Sequence, residues 1–442
     1  ADATLLVDDL ALKVAIDEAK ILGNQLTNGR VSLVEDGDDM ALAISADASG
    51  DVSQALALLR QSPVQDVAGE ALAQFAAKGV YDGHVELFVP LNGGMNSGWQ
   101  NIEARMQGAE FALPDLDLTF NKVASSLNYH TQKGLSAKQI TGQLWGRQLT
   151  GQLETISDDK GKYLQLGFDG NVAVGDLNAW LKRPLFEYMN GKSQVSGELK
   201  LPFDHPEQGI ELSAKTDLVG IELNYPAPFN KAASEPTSLN VHFLRPQNAE
   251  TGILTLASSQ GVQSQLMLQG EHLLGLDVGF GESAAVTPGS MRLHGQLRDI
   301  EIEPWSEFVI GYLASLDKKA EAAKQGAAGS SETFEPVKFS MGLEVTNANL
   351  KGLQLEHLGL WGKELDDSWY FDIETPQAVA NFRKYFEGKP SELHIEYLHL
   401  PEFSEEGDQR KHQSMLADTA LEHLEAIDCL LYTSDAADEA KW

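Results

Sequence analysis

The residues able to do chemistry are scattered along this sequence rather than gathered. Eleven histidines are present, but none falls in a His-Glu-x-x-His pair, which would set two imidazoles and a base on one helix face, and no carboxylate run has the spacing of a calcium loop. His394 and His399 stand an odd number of residues apart in an expected strand, hence on opposite faces, where they cannot share a metal. His242, His294 and His394 alternate with apolar neighbours, which assigns them to the wet side of strands as solvated imidazoles. A Gly-x-Ser-x-Gly elbow and a Walker loop are both missing. The run Gly279-Phe280-Gly281-Glu282-Ser283-Ala284 has the letters of a dinucleotide fingerprint. That fingerprint needs a following helix to lend its N-terminus to a pyrophosphate, whereas Thr287-Pro288-Gly289 and a strand, Met291–Leu297, come next. Acidic pairs such as Asp38-Asp39 and Glu405-Glu406 read as solvated loops. Trp145, Trp180, Trp305, Trp361 and Trp369 read as core anchors rather than a carbohydrate platform. No metal, cofactor or catalytic set is expected, and the sequence points away from an enzyme.

Charge narrows the partners. Against 33 Lys and Arg stand 65 Asp and Glu, a net charge of -32. Nucleic acid is disfavoured, because neutralising phosphates needs basic stripes, and so is lying flat on an anionic membrane. With 42% hydrophobic residues the chain can still bury a substantial core. No stretch approaches the 18 or so uninterrupted apolar residues of a spanning helix. The chain opens Ala1-Asp2-Ala3-Thr4, with no Met, basic segment or apolar segment of a signal peptide, and is read as cropped. Its one cysteine, Cys429, begins a run to Glu439 that looks like translated sequencing adaptor. Residues 429–442 are therefore expected to be an artefact that packs against nothing, and residues 1–428, free of cysteine, exclude disulfides and thiol chemistry.

The elements that would position any site are strands. Short runs alternate with period two: Val85/Leu87/Val89/Leu91, Leu199/Leu201/Phe203, Leu239/Val241/Phe243, Leu274/Leu276/Val278/Phe280, Phe339/Met341/Leu343/Val345, Trp369/Phe371/Ile373 and Leu393/Ile395/Tyr397. Each is greasy on one side and mostly wet on the other. Gly, Asn and Asp punctuate them, as antiparallel meanders require. On the order of 20–25 strands are expected, and open sheets beyond about 10 strands curl or split. The expected fold is mainly β: a long antiparallel sheet curled around its greasy face into an open groove, with a few short helices. Helices are expected at Val52–Leu59, Glu70–Ala77, Leu177–Tyr188, Trp305–Leu316 and His412–Ile427.

A loose repeat leads a glycine-ended helix into a proline-closed strand at Phe75–Pro90, Tyr188–Pro202 and Tyr385–Pro401. A second echo pairs Lys133-Gly134 and Trp145-Gly146 with Lys351-Gly352 and Trp361-Gly362. The expected organisation is an elongated β-groove over 1–317, a linker or loop over 318–335, continuing sheet over 336–403, a helical segment over 404–428 and the adaptor-like tail.

The run Leu218-Val219-Gly220-Ile221-Glu222-Leu223-Asn224-Tyr225-Pro226-Ala227-Pro228-Phe229-Asn230-Lys231 resembles a Pro-x-Pro segment of the AsmA-like proteins of YhdP type. Gly175–Leu181, the strand into Leu201-Pro202, Arg292–Leu297 leading to Glu303-Pro304-Trp305, and the closing strands Trp369–Ile373 and Leu393–Pro401 fit the same subgroup. An Asp four residues before the Trp is usual there, and none precedes Trp305 at that spacing. The resemblance implies an internal fragment of a much larger cell-envelope protein, periplasmic and anchored in the inner membrane by a helix absent from this chain. It also implies a taco-like β-groove carrying phospholipid towards the outer membrane.

Under that resemblance the lining of the groove is assigned to Val85, Leu87, Val89, Leu199, Leu201, Phe203, Leu239, Val241, Phe243, Leu274, Leu276, Val278, Phe339, Met341, Leu343, Leu393 and Ile395. The partners would be phospholipid acyl chains and other envelope proteins. The alternative is a structural or partner-binding β scaffold of the envelope, its greasy face closed by its own helices and without lipid. A filled core and a lined groove need the same alternation, so both readings stand at this point.

Overall fold

A computed structural model describes residues 2–8, 11–37, 39–60, 75–92, 98–114, 117–159, 161–181, 184–202, 209–246, 249–270, 272–309, 311, 338–386, 389–399 and 427–431. The chain forms two compact units. Unit 1 comprises Ala1–Phe186, Asn190–Ile221 and Ala233–Ile253; unit 2 comprises Glu187–Met189, Glu222–Ala232 and Leu254–Trp442.

In unit 1 the strands are β1 (Asp2–Asp8), β2 (Ala11–Ile21), β3 (Asn24–Asp36), β4 (Asp39–Asp51), β5 (Ala76–Lys78), β6 (Val80–Pro90), β7 (Trp99–Leu113), β8 (Leu118–His130), β9 (Gly134–Leu144), β10 (Arg147–Asp158), β11 (Gly161–Ala173), β12 (Met189–Pro202), β13 (Ile210–Thr216) and, after the short β14 (Ile221–Leu223), β15 (Leu239–Arg245). They pair antiparallel in chain order from β1 to β4, then β6 to β13, then β15. The short β5 adds to β7.

Among the described residues two helices interrupt this meander, both at the same end of the strands. Asp51 caps α1 (Val52–Arg60), its carboxylate accepting the Ser53 amide at 2.8 Å. Val52 and Leu56 then bury against Ala48, Tyr81, Met106 and Val123. Val174–Leu181 forms α2, followed by a 3-10 turn at Pro184–Tyr188. A hairpin turn ties β10 to α2: Trp145 and Gly146 both take positive φ, 51° and 77°, as a two-residue turn of this hand demands. Trp145 meets Trp180 of α2 with ring centroids 5.7 Å apart, and Arg147 pairs with Asp176.

In unit 2 the strands are β16 (Gly252–Ser258, lying mostly there), β17 (Val262–Gln269), β18 (His272–Phe280), β19 (Ser290–Glu301), β20 (Lys338–Leu350), β21 (Leu353–Glu364), β22 (Ser368–Glu374), β23 (Ala378–Tyr385), β24 (Ser391–Leu398) and β25 (Ile427–Leu431). Order from β17 to β25 again follows the chain. Residues 302–309 are helical.

The mainly β fold with few helices is as the sequence implies, and 25 strands are present among the described residues. Four expectations need correction. The sheet is mixed, because β18–β19, β19–β20 and β24–β25 pair in parallel. It is open and uncurled within each unit. Helices supply the burial at one end of the greasy face, where Val52 and Leu56 sit on Tyr81 and Met106, so the sheet need not wrap on itself there. Ala76 and Ala77 of the expected Glu70–Ala77 helix form strand β5 with Lys78; that strand gains ladder partners on β7, which outweighs a helical preference that so short a segment cannot nucleate alone. Ile427, expected at a helix end, and residues 429–431 of the adaptor-like tail belong to β25 and pair with β24, where an open edge offers unpaired backbone groups. The rest of that tail, the 318–335 linker and the greater part of the final helix lie outside the described residues.

Candidate functional site

In a sheet, directly paired residues share a face, so registers assemble side chains into rows across the strands. In unit 1 one row runs Ala46–Val85–Ile102–Tyr129–Leu135 over β4, β6, β7, β8 and β9. Thr155 carries it onto β10: its Oγ1 receives the Leu135 amide at 2.9 Å, which satisfies the hydroxyl within the ladder. Leu164 and Leu201 complete it. The next row is Leu153–Leu166–Leu199–Leu212–Phe243 over five adjacent strands, β10 to β13 and β15. Beyond it, Val241 pairs with Ala214, and Leu239 with Thr216. Leu87 pairs with Ile44, and Val89 with Leu42. Tyr129, Leu135, Leu164 and Leu201 pack with Ile102, Leu153 and Leu199, so both rows belong to one surface.

Unit 2 repeats the pattern. Val278–Leu293–Met341–Gly362–Phe371–Phe382–Leu393 is one unbroken row from β18 to β24. Phe280–Gly295–Leu343–Leu360–Ile373–Ala380–Ile395 is the next, and Leu276–Met291–Phe339 flanks the first on its other side. Leu274 falls at a register irregularity of β18, where Met267 pairs with Gly275 and Leu268 with Leu273. Rings floor this surface: Trp369 stacks on Phe371, and Phe371 on Phe382, with centroids 6.4 and 6.5 Å apart.

The expected lining residues stand in one of these two apolar surfaces, one on each unit, except Leu274, at the irregularity of β18, and Phe203, which lies outside the described residues. Leu153, Leu166, Leu212, Leu293, Phe371 and Phe382 stand in the same rows without having been among the expected lining residues. The same alternation marks them, as in Leu149-Thr-Gly-Gln-Leu153 and Leu164-Gln-Leu166-Gly-Phe168, but only register shows which runs align.

Coverage is uneven. Leu164 and Leu201 are 4% and 5% exposed, and Phe75 packs on their cluster. Val345, Ala348 and Leu358 are buried near Ile302 at the helical end. Elsewhere in their own units, Leu199, Leu212 and Phe243 of unit 1 and Leu276, Val278, Leu293, Met341, Phe371, Phe382, Leu393 and Ile395 of unit 2 are only half-buried. Apolar rows in a closed sandwich are covered by a facing layer, whereas these keep part of their surface open.

The reverse face is polar. Behind the unit 1 rows, Gln165 donates to Glu198 at 3.0 Å, Lys200 lies 3.4 Å from Glu198 and 3.9 Å from Glu211, and His242 lies 3.0 Å from Glu211. Burial opposes the charge of Lys200, but Glu211 and Glu198 outweigh it and hold the ammonium above its ordinary 10.5. Farther along, the Asn28 amide and then His84 hold the Asp47 carboxyl below its ordinary 3.8.

One histidine departs from expectation. His294 is on the polar face, yet its side chain is only 15% exposed, with Nε2 2.8 Å from Asp277 and Nδ1 2.9 Å from Glu282. The chain between the parallel strands β18 and β19 doubles back beside β18, Gly289 donating to the Leu274 carbonyl at 2.8 Å. Gly275 and Gly279 admit that strap: a Cβ on either would lie 2.5 Å from a strap carbonyl oxygen. Asp277, between them, is left 1% exposed, with Arg292 at 2.6 Å. Trp361, expected as a core anchor, is 41% exposed on the polar face.

Among the described residues no group of three or more His, Cys, Asp and Glu could hold a metal ion, and no helix is long and apolar enough to cross a membrane. The geometry is that of an extended apolar surface backed by charge. A family model described as "YhdP protein" matches residues 1–429. The chain belongs to the YhdP family. A curated YhdP relative, the intermembrane phospholipid transporter YhdP of Escherichia coli (strain K12), is 21% identical over 222 residues. That alignment covers 50% of this chain and 17% of the relative, so the chain spans well under two thirds of the relative's length. No solved structure matches.

Proposed function

We propose that this YhdP-family chain is a non-catalytic segment of a lipid conduit, shielding phospholipid acyl tails as they cross the periplasm between inner and outer membrane. The observation that carries the proposal is the unbroken row Val278–Leu293–Met341–Gly362–Phe371–Phe382–Leu393, apolar across seven strands and only half-buried. An acyl chain in water costs about 0.8 kcal/mol per methylene, so a tail of about 16 carbons costs on the order of 12 kcal/mol. A greasy surface removes that cost with non-directional contacts, and no hydrogen bond has to break as a lipid moves. The family relative named as a phospholipid transporter supports the choice of ligand. In this reading the parent protein is anchored in the inner membrane and meets other envelope proteins at its ends.

The covered cluster around Leu164 and Leu201, with Phe75 over it, favours a second reading for its own stretch of unit 1: a closed scaffold without lipid there. A photo-crosslinking amino acid at Leu276 or Met341 decides between conduit and scaffold in cells. Phospholipid adducts at both positions, and none at Lys200 or His242 on the polar face, are expected. Equal labelling of both faces, or none on the apolar face of a folded protein, would leave the scaffold alone standing.

A further inference from the structure

Strand β21 carries two glycines that each seat a ring, on opposite faces of the sheet. A Cβ on Gly362 would lie 2.6 Å from Cδ1 of Phe371 and 2.8 Å from Cγ of Met341, its two register partners. A Cβ on Gly359 would lie 2.2 Å from Cη2 of Trp361. Gly362 is in the apolar row and Gly359 in the polar one, because their parity differs. Neither has a positive φ, so a side chain at either is refused by the neighbouring ring and not by the backbone. The echo in the sequence between Trp145-Gly146 and Trp361-Gly362 hides this difference. The first pair is a hairpin turn, whereas the second lies mid-strand, where a missing Cβ has a different use.

We infer that Gly362 is the lane-keeping residue of the apolar surface, letting Phe371 and Met341 lie down across β21 so that one acyl chain runs along the row from Met341 to Phe382. This deepens the conduit proposal and rests on it. The rings along the row keep one orientation, Trp369 and Phe371 at 14° to each other and Phe371 and Phe382 at 22°. The row from β20 to β23 spans three strand spacings, about 14 Å, within reach of one extended acyl chain. A side chain at 362 would push Phe371 and Met341 up into that path and divide it. Van der Waals contact is lost steeply over a fraction of an ångström, so a displaced ring is enough.

The test uses the whole chain with vesicles of phosphatidylethanolamine and phosphatidylglycerol. They are doped with a phospholipid bearing two diazirines on one acyl chain. Irradiation joins the Met341 peptide to the Phe382 peptide only when a single chain lies across both. In the unsubstituted chain that joined product is expected. Gly362→Val should reduce it about tenfold, the loss of contact worth one to two methylenes, with single adducts at Leu293 retained. Gly359→Val, which moves Trp361 on the polar face, should leave it unchanged. Gly362→Val with Phe371→Ala, which removes the nearer of the two side chains that would be displaced, should restore part of it, and a retained melting temperature certifies each fold. An undiminished product in Gly362→Val, or equal loss in Gly359→Val, overturns the inference. Single adducts without any joined product in the unsubstituted chain also overturn it while sparing the conduit; no adducts at all would remove the conduit itself.

Discussion

The indole Nε1 of Trp305 donates a hydrogen bond to the main-chain carbonyl of Ala227 at 2.8 Å. It joins the helical segment 302–309 to the middle of the Pro-x-Pro run, and rings reinforce the joint. Phe229 meets Trp305 at 5.8 Å and Phe280 at 5.3 Å, while Phe308 meets Tyr188 at 4.6 Å and Tyr225 at 5.7 Å. The run that marks the family lineage is thus a clamp on the helix that follows β19. Trp305→Phe keeps most of the ring and loses the hydrogen bond, and should cost about 1 kcal/mol. Trp305→Ala empties the cluster and should cost about 3 kcal/mol or more. Urea unfolding of the two variants checks the order: equal losses would refute the part given to the rings, and no loss in Trp305→Phe would refute the part given to the hydrogen bond.

How much of this was legible in the sequence differs from element to element. Period-two runs such as Leu393/Ile395 and Phe339/Met341 gave their strands and their faces directly, because the pleat leaves no other way to bury them. Trp305 was legible as an anchor, but its partner was not, since 78 residues separate it from Ala227 and nothing local encodes the pairing. His294 misled for a related reason. Its alternation placed it on the polar face, which is correct, but the strap that covers that face is a matter of where residues 281–289 turn. The one local signal was Gly275-Leu-Asp277-Val-Gly279, two missing side chains around an acid. Parallel pairing at β18–β19 and β19–β20 was invisible to periodicity, which is the same in either direction.

The strap gives a second expectation. Asp277 is buried between Arg292 and His294, so Asp277→Ala leaves a guanidinium and an imidazole without their shared acceptor. Breaking a buried pair from one side costs about 3–5 kcal/mol, and the low end is expected because the Arg292 side chain is 45% exposed. Glu282→Gln, at a side chain 51% exposed, should cost under about 1 kcal/mol. Hydrogen exchange of amides 281–289 should quicken strongly in the first variant and little in the second. Equal protection in both would show that the strap is held by its backbone alone.

The polar face predicts a pH response. Lys200 is raised above 10.5 by Glu211 and Glu198, so its contribution to stability is complete below that value and disappears as pH climbs through the folded-state pKa. Asp47 is lowered from 3.8, so its contribution is complete above that value and disappears as pH falls through the lower one. Lys200→Met should therefore lower the melting temperature by the same amount at about pH 6 and pH 9, and by less above 10.5. Asp47→Asn should show its effect at about pH 6 and lose it below 3.8. A Lys200→Met effect that changed between pH 6 and pH 9 would contradict this ion-pair assignment.

Adjacent positions on β10 separate the two faces most sharply. Leu153 stands in the row that runs through Leu166, Leu199 and Leu212 to Phe243, while Gln152 is exposed on the reverse side. Leu153→Asp puts a carboxylate among leucines that it cannot hydrogen-bond, and such a group either stays charged at high cost or takes up a proton. A loss of about 2–4 kcal/mol in stability is expected, in the range of buried polar insertions, against under about 0.5 kcal/mol for Gln152→Asp. Lipid gives the two variants a second difference. Phospholipid retained by the purified chain, counted by native mass spectrometry, should fall for Leu153→Asp and stay level for Gln152→Asp. If Leu153→Asp unfolds the chain, Leu153→Ser offers a milder polar change at the same place in the row. A folded serine variant that retains as much lipid as the unsubstituted chain would mean that the unit 1 rows are core, and that any lipid path lies along the rows of unit 2.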